Sequence, residues 1–113
     1  KPTSKAGAKK TVNLPTSSVM LEGSGIDPDG TITEYSWKVL SSPAPCRFSN
    51  PRSAVTEVLD LTEGIYQFEL KVTDNSGEAA LDTVEVEVKE LLNTVASVEG
   101  VFVIYKKMKY SKK

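Results

Sequence analysis

The sequence predicts an all-β fold, a sandwich of about seven antiparallel strands in two sheets. Three observations predict it. Apolar residues repeat with a period of two in several short segments, turn residues separate these segments, and the 113 residues suffice for one domain. Such alternation places apolar side chains on one face of each strand. Two sheets with one apolar face each bury those faces against one another, which gives a sandwich.

The clearest element is an antiparallel hairpin. Its two strands, residues 65–73 and 83–89, alternate apolar with polar or charged side chains. The turn sequence Asp74-Asn75-Ser76-Gly77 lies after the first strand, and these residue types favour turns. In the second strand Val84, Val86 and Val88 are expected to face inward.

The same alternation predicts three earlier strands, at residues 18–22, 35–39 and 53–61. In the last of them we expect Val55 inside, together with Val58 or Leu59. The predicted core of the whole sandwich is Val19, Leu21, Tyr35, Trp37, Val39, Tyr66, Phe68, Leu70, Val72, Val84 and Val86.

The domain is predicted to span residues 10–90. A short edge strand at its start ends at Pro15, because proline has no N–H to give to a strand ladder. Residues 1–9 are predicted to be a linker. Residues 91–113 are predicted to be a basic C-terminal extension, either a tail or the start of a following element. The apolar pentapeptide Val101–Tyr105 within this extension could alternatively form an added strand on this domain.

Aromatic residues narrow the prediction to an immunoglobulin-like sandwich. Trp37 lies in the middle of its strand, where such folds bury an indole between the sheets. The segment Leu61–Tyr66 has the pattern of a tyrosine corner, in which the tyrosine hydroxyl returns to upstream backbone. Phe68 follows two residues after Tyr66, where antibody domains carry their second cysteine. We therefore expect aromatic packing in place of an inter-sheet disulfide.

Charge and hydropathy exclude two classes of partner. Between Thr11 and Glu90 lie 14 of the 15 acidic residues but only 5 of the 14 basic ones, so the body of the domain is acidic. Nucleic acid is excluded, because phosphate binding needs clustered cations. Membrane insertion is excluded as well, because no apolar run approaches the ~18–20 residues that a span requires. The basic residues at the two ends are Lys1, Lys5, Lys9, Lys10, Lys106, Lys107, Lys109, Lys112 and Lys113.

The chain is predicted not to be an enzyme. It has no histidine, and therefore neither a Ser-His or Cys-His pair nor an imidazole metal site. Cys46 is the one cysteine, so no internal disulfide can form, and we expect a half-buried structural residue. Asp27 and Asp29 lie on one turn and could not flank a sugar from opposite faces as glycosidases require.

Two longer motifs resemble the signatures of the polycystic kidney disease (PKD) domain. Residues 25–37, GIDPDGTITEYSW, resemble D-x-D-G-x-I-x-x-Y-x-W, and residues 64–77, GIYQFELKVTDNSG, resemble G-x-Y-x-F-x-L-x-V-T-D-x-x-G. The resemblance covers about residues 6–89. After the tryptophan, residues 38–43 replace the x-F-G-D-G of many members. This longer variant is similar to modules of bacterial surface proteins and of some animal receptor ectodomains.

The resemblance implies a non-catalytic extracellular module, acting as a spacer or as an adhesion or protein-interaction unit of a larger surface or secreted protein. The alternative is an accessory carbohydrate- or polymer-binding module attached to a secreted hydrolase. Expected partners are other domains of the parent chain and a cell-surface protein or polysaccharide, and we expect a monomer. A sugar-binding face would need exposed aromatic rings, for which Phe48 is the candidate. A protein-interaction face would use the sheet surface carrying Gln67, Glu69, Lys71, Glu85 and Glu87.

The candidate metal ligands are Asp27, Asp29 and Asp74; apart from calcium, no cofactor is expected. Asp27-Pro28-Asp29-Gly30 places two carboxylates on a tight turn, and hard oxygen ligands suit calcium. Some family members bind calcium around this turn and the aspartate that ends the later strand, which the resemblance carries over to Asp74. The alternative is that these carboxylates accept backbone N–H bonds and hold their turns.

Overall fold

The structure, a computed structural model, describes residues 1–90, and the predicted extension at 91–113 lies outside the described residues. This part of the chain contains no helix that is long and apolar enough to cross a membrane. The strands are β1 (Thr3–Lys5), β2 (Lys10–Asn13), β3 (Val19–Glu22), β4 (Ser24–Ile26), β5 (Ile32–Ser41), β6 (Arg47–Phe48), β7 (Val55–Leu59), β8 (Gly64–Asp74) and β9 (Ala79–Lys89).

The strands form two main sheets and one short ladder. The first sheet has the order β2-β9-β8-β5, the second has the order β3-β7-β6, and β1 pairs with β4. Strand β2 runs parallel to β9, whereas the other pairs are antiparallel. The predicted sandwich is confirmed, with more strands than expected. The additional strands β1, β4 and β6 have only two or three residues each, too few to show an alternating pattern.

Residues 1–9 belong to the folded domain, so their prediction as a linker is wrong. Strand β1 pairs with β4, and Ser4 and Ala6 are 8% and 1% exposed. The Ser4 hydroxyl donates to the Leu70 carbonyl at 3.0 Å, and the Ala6 N–H donates to a carboxylate oxygen of Asp82 at 2.8 Å. The segment gives no signal in the sequence because its buried residues are small or polar.

The core lies between the two main sheets. Eight predicted core residues are buried: Leu21, Trp37, Tyr66, Phe68, Leu70, Val72, Val84 and Val86. Val19, Tyr35 and Val39 are partly buried and pack against them. The prediction that Val55 faces inward is wrong, since it is 47% exposed. Thr56 and Val58 fill the interior instead, because the alternation of β7 is offset by one residue.

Both aromatic features predicted for an immunoglobulin-like sandwich are present. The indole N–H of Trp37 on β5 reaches across to the segment before β7, donating to the carbonyls of Ser53 at 3.0 Å and Ala54 at 3.2 Å. The Thr62 N–H donates to the Tyr66 hydroxyl oxygen at 2.9 Å, which confirms the tyrosine corner. These bonds satisfy buried polar groups within the core.

Aromatic packing stands where antibody domains have a disulfide. The Phe68 ring lies 5.7 Å from the Phe48 ring, in an edge-to-face arrangement, and stacks on Tyr66 at 5.9 Å. Centroid distances of this size are favourable for aromatic pairs. Phe48 is therefore partly buried against the core, and its role as an exposed sugar-binding ring is not supported. Cys46 is half-buried as predicted.

Candidate functional site

The candidate metal ligands lie together at one end of the sandwich. Asp27 and Asp29 flank the turn between β4 and β5, and Asp74 ends β8. The register of β5 and β8 places Ile32 opposite Asp74, which brings the two turns side by side. We call this end the N-terminal pole and define it by Lys1, Asp27, Asp29, Asp74 and Glu78.

Backbone hydrogen bonds hold the turn that carries Asp27 and Asp29. The Gly30 N–H donates to the Asp27 carbonyl at 3.3 Å, and the Asp29 N–H donates to the Asp27 carboxylate at 3.3 Å. A Cβ on Gly30 would lie 2.4 Å from Oδ1 of Asn75 and 2.9 Å from Oδ2 of Asp27. A Cβ at this position would therefore displace the side chains of Asn75 and Asp27.

The α-ammonium group of Lys1 lies among the carboxylates of the pole. Its nitrogen is 3.2 Å from Oδ1 of Asp27, 3.0 Å from Oδ1 of Asp29 and 3.9 Å from Oε1 of Glu78. The Asp27 side chain is 1% exposed, whereas that of Asp29 is 79% exposed. Sequence reasoning gave no role to Lys1 or Glu78, because only the fold brings them to the aspartates.

The neighbouring carboxyl groups shift one another's ionisation in opposite directions. The hydrogen bond to Asp29, followed by burial, raises the pKa of Asp27. The hydrogen bond to Asp27 and the α-ammonium group lower the pKa of Asp29. The hydrogen bonds to Asp29 and Asp27 raise the pKa of the α-ammonium group. Asp27 therefore holds a proton more readily than Asp29, as expected when carboxylates crowd together.

Asp74 stabilises the turn between β8 and β9. Its Oδ1 accepts hydrogen bonds from the Ser76 N–H at 2.9 Å, the Ser76 hydroxyl at 2.8 Å and the Glu78 N–H at 2.9 Å. Burial opposes ionisation of Asp74, but the donors of Ser76 and Glu78 outweigh it and lower its pKa to about 2. This geometry favours the turn-stabilising interpretation for Asp74.

Acid should destabilise the domain through Asp74. Because its pKa is lowered from 3.8 to about 2, its contribution to stability is complete above pH 3.8 and is lost as the pH falls through 2. Asp74→Asn removes the charge at every pH. We expect the wild type to melt above the variant at pH 5, and this difference to shrink toward pH 2. Thermal unfolding of both proteins across this range measures it, and a constant difference would refute the assignment.

The pole fits a cation through Asp27 and Asp29 better than through Asp74. Asp27 and Asp29 lie on one turn, where the Asp29 N–H donates to the Asp27 carboxylate, whereas Oδ1 of Asp74 is committed to three donors. Within residues 1–90, no group of three or more acidic or cysteine side chains has an arrangement that would by itself hold a metal ion. Calcium also takes six to eight oxygens, so backbone or water oxygens would be needed. Calcium binding therefore stays a prediction.

The outer face of the four-stranded sheet is polar and partly neutralised by its own ion pairs. Lys38 lies 3.5 Å from Glu69, and Lys9 lies 3.3 Å from Glu85 and 3.7 Å from Glu87. Exposed ion pairs of this kind contribute little stability.

Comparisons with known proteins identify the family. The family described as K319L-like, PKD domain, matches residues 6–88. Human low-density lipoprotein receptor-related protein 11 is 37% identical over 87 residues, which are 77% of this chain and 17% of that protein. Human dyslexia-associated protein KIAA0319 is 35% identical over 91 residues, 78% of this chain and 8% of that protein. The chain thus spans only a small part of either relative.

A solved structure agrees with this result. The solution structure of the PKD domain from the KIAA 1837 protein superposes with a TM-score of 0.70 at 33% identity, covering 78% of this chain and 86% of that one. The two motifs that resemble the PKD signatures lie inside the matched range. They also supply the buried Trp37 and the Tyr66 corner. The chain therefore belongs to the K319L-like PKD domain family.

Proposed function

We propose that this domain is a non-catalytic extracellular spacer in a larger surface or secreted protein. One observation carries the proposal: the chain enters the sandwich at one end and leaves it at the other. At the N-terminal pole the Lys1 nitrogen lies 3.9 Å from Glu78, just before β9 begins. Glu90 follows the other end of β9. An arrangement of this kind places neighbouring domains on opposite sides of the module.

The pairing of the first and last strands suits a spacer that bears tension. Strand β2 runs parallel to β9, with Lys10 opposite Val86 and Asn13 opposite Lys89. The Leu14 N–H extends this ladder by donating to the Lys89 carbonyl at 3.0 Å. Tension on the chain ends pulls these two strands along their lengths in opposite directions. Their hydrogen bonds are then loaded together and not one after another.

The separation of the two ends tests the spacer geometry. Spin labels at residues 1 and 90, in a protein with Cys46→Ser, should give one narrow distance distribution near ~40 Å, from 3.3–3.4 Å per strand residue along β9. Labels at residues 13 and 90 provide the control and should lie close together, because Asn13 pairs with Lys89. Electron–electron double resonance measures both. A short or broad distance for the first pair would contradict a rigid spacer.

The carbohydrate-binding alternative receives little support from the described residues. Trp37, Tyr66 and Phe68 are buried, and Tyr35 and Phe48 pack against the core. Sugars are commonly bound by exposed aromatic faces, which residues 1–90 do not offer. A protein-interaction role on the outer sheet face remains compatible with a spacer. Pull-down against polysaccharides and cell-surface extracts separates these alternatives: capture of a polysaccharide would favour the accessory role.

Calcium at the N-terminal pole is a second proposal, supported by the position of Asp27 and Asp29 on one tight turn, where the Asp29 N–H donates to the Asp27 carboxylate at 3.3 Å. Asp74 would complete the ligand set only through its other carboxylate oxygen. At a hundredfold excess over the dissociation constant, bound calcium adds about 2.7 kcal/mol to the free energy of unfolding. We therefore expect a higher melting temperature with calcium than with chelator. The variant Asp27→Asn/Asp29→Asn should show no such difference. Identical unfolding curves for the wild type with calcium and with chelator would reject the site.

A further inference from the structure

The outer edge of β5 is the longest free strand edge within residues 1–90. Strand β5 stands last in the order β2-β9-β8-β5, so it has a neighbouring strand on one side only. It has ten residues, whereas β2, β3 and β6, the strands at the other edges of the two main sheets, have four or fewer. A long free edge presents unpaired backbone groups, which tend to pair with a strand of another chain.

A regular stretch lies in the middle of this edge. The pairing of β5 with β8 shifts register near both ends of β5 and is continuous from Glu34 to Val39. Hydrogen-bonded and non-hydrogen-bonded residues alternate in an antiparallel pair, so every second residue directs its N–H and carbonyl away from β8. Trp37 is one of these residues, because its N–H donates to the Pro51 carbonyl at 2.8 Å and not to β8. Tyr35 and Val39, two positions away on either side, therefore face the same free edge.

Residues 49–54, between β6 and β7, cross the middle of this stretch, and we call them the strap. Proline has no N–H, so Pro51 accepts the hydrogen bond from Trp37 without returning a donor and adds no strand to the sheet. At the end of the strap, the Ala54 carbonyl accepts from the Trp37 indole N–H at 3.2 Å and from the Gly23 N–H at 2.9 Å. The strap is thus tied both to β5 and to the segment between β3 and β4.

A tight turn shapes the strap. The Ser53 N–H donates to the Asn50 carbonyl at 3.2 Å, which closes a turn with Pro51 at its second position. The Arg52 N–H donates to the Asn50 side-chain oxygen at 3.1 Å. Asparagine at the first position of a turn and proline at the second are both favoured. This sequence therefore holds Pro51 at the tip of the turn, beside Trp37.

The buried hydroxyl of Thr56 fixes the strap to β7. Thr56 is 1% exposed, and its Oγ1 accepts from the Asn50 N–H at 2.9 Å and lies 3.4 Å from the Ser49 hydroxyl. The Glu57 N–H donates to the same Ser49 hydroxyl at 3.0 Å. A polar group is tolerated in a core where it is hydrogen-bonded, so these contacts explain a threonine at an interior position of β7.

We propose that the strap closes the free edge of β5 and so prevents this edge from pairing with the β5 of a second copy of the chain. The Trp37 N–H, which such pairing would need, is already bonded to the strap. This inference does not rest on the spacer function, because an isolated domain has the same edge and the same strap.

Charge and register make a second copy a suitable partner for the uncovered edge. Two β5 strands can pair in antiparallel register about Ser36, which places Tyr35 of each copy opposite Trp37 of the other. Both of these residues direct their backbone groups to the free edge. The same register places Glu34 of each copy opposite Lys38 of the other, and opposite charges across a strand pair are favourable. Both charged side chains are accessible, since Glu34 is 59% and Lys38 is 67% exposed.

Hydrogen exchange of single backbone amides in Thr56→Val tests whether the hydroxyl holds the strap. Valine keeps the shape of threonine, so the sandwich should stay folded while the Trp37 amide loses protection. The Lys38 amide, which faces β8, is the internal control and should keep its protection. Asn50→Ala, at an exposed position, loosens the turn without changing the core and should give the same result. A Trp37 amide that stays protected in both variants, or an equal loss at Trp37 and Lys38, would overturn the proposal.

Sedimentation velocity measures the consequence for self-association. Over a range of protein concentrations, Thr56→Val should form dimers where the wild type remains a monomer, and the amides of Tyr35 and Val39 should gain protection in those dimers. Val86→Ala is the matched control, because Val86 is buried on β9 and its truncation destabilises the domain without touching the strap. Dimers of Val86→Ala, or a monomeric Thr56→Val protein with an unprotected Trp37 amide, would overturn the proposal.

A charge exchange identifies the strand that pairs. In the Thr56→Val background, Lys38→Glu places like charges opposite Glu34 of the other copy and should weaken the dimer. Adding Glu34→Lys brings opposite charges together again and should restore it. A dimer that is not restored by the second change would overturn pairing through β5.

Discussion

Trp37→Ala is expected to lower the free energy of unfolding by about 3–5 kcal/mol. The indole is 3% exposed, and its N–H donates to two carbonyls on the segment before β7. Removing it leaves a cavity between the sheets and two carbonyls without that donor. A single domain of this size has a total stability of only about 5–15 kcal/mol, so the loss is a large share.

The surroundings of Trp37 leave little room for the cavity to collapse. A Cβ on Gly23 would lie 2.8 Å from Cζ2 of Trp37 and 2.4 Å from Leu70, which shows how closely the two sheets pack there. The matched control is Leu40→Ala on the same strand, since Leu40 is 43% exposed. Its cost should be well below that of Trp37→Ala. Urea unfolding measures both variants, and equal losses would contradict the position of Trp37 in the core.

Long alternating segments were predictable from the sequence because one face of each is fully buried. Strand β8 buries every second residue from Tyr66 to Asp74 and β9 does so from Val84 to Val88, so a single register satisfies the pattern. The roles of Trp37 and Tyr66 were also predictable, because each sits at a fixed place within such a strand. The polar atoms of both side chains find the expected kind of partner, a backbone group.

Short or weakly patterned segments were not predictable in this way. The segment 53–61 has apolar residues at both even and odd positions, so alternation does not identify the inward face of β7. The prediction that Val55 faces inward is wrong for this reason. Strand β1 buries Ser4, a polar residue whose hydroxyl is satisfied by Leu70. Phe48 lies in a two-residue strand after several prolines, and only its contact with Phe68 reveals its orientation.

The N-terminal pole was predictable only in part. The motifs place Asp27, Asp29 and Asp74 near one another because β5 and β8 are neighbours. The positions of Lys1 and Glu78 depend on the path of residues 1–9 along the sandwich, which the linker prediction had left out. Asp74 holds a turn, whereas Asp27 is a candidate cation ligand. This difference depends on which carboxylate oxygen accepts from which donor, and sequence spacing does not specify those hydrogen bonds.

The force needed to unfold the domain should depend strongly on the two residues through which it is pulled. Pulled through residues 1 and 90, the ladder from Lys10↔Val86 to Asn13↔Lys89 is loaded in shear, so its hydrogen bonds must break together. Pulled through residues 13 and 90, the same ladder is opened from its Asn13 end one pair at a time. The same contacts therefore resist force strongly in the first geometry and weakly in the second.

Single-molecule force spectroscopy of one protein in these two geometries is the most direct test of the spacer proposal. Both versions carry Cys46→Ser and one pair of attachment cysteines, at residues 1 and 90 or at residues 13 and 90, so their equilibrium stabilities can be matched before pulling. We expect a clearly higher unfolding force between residues 1 and 90 than between residues 13 and 90. Equal forces in the two geometries would contradict it.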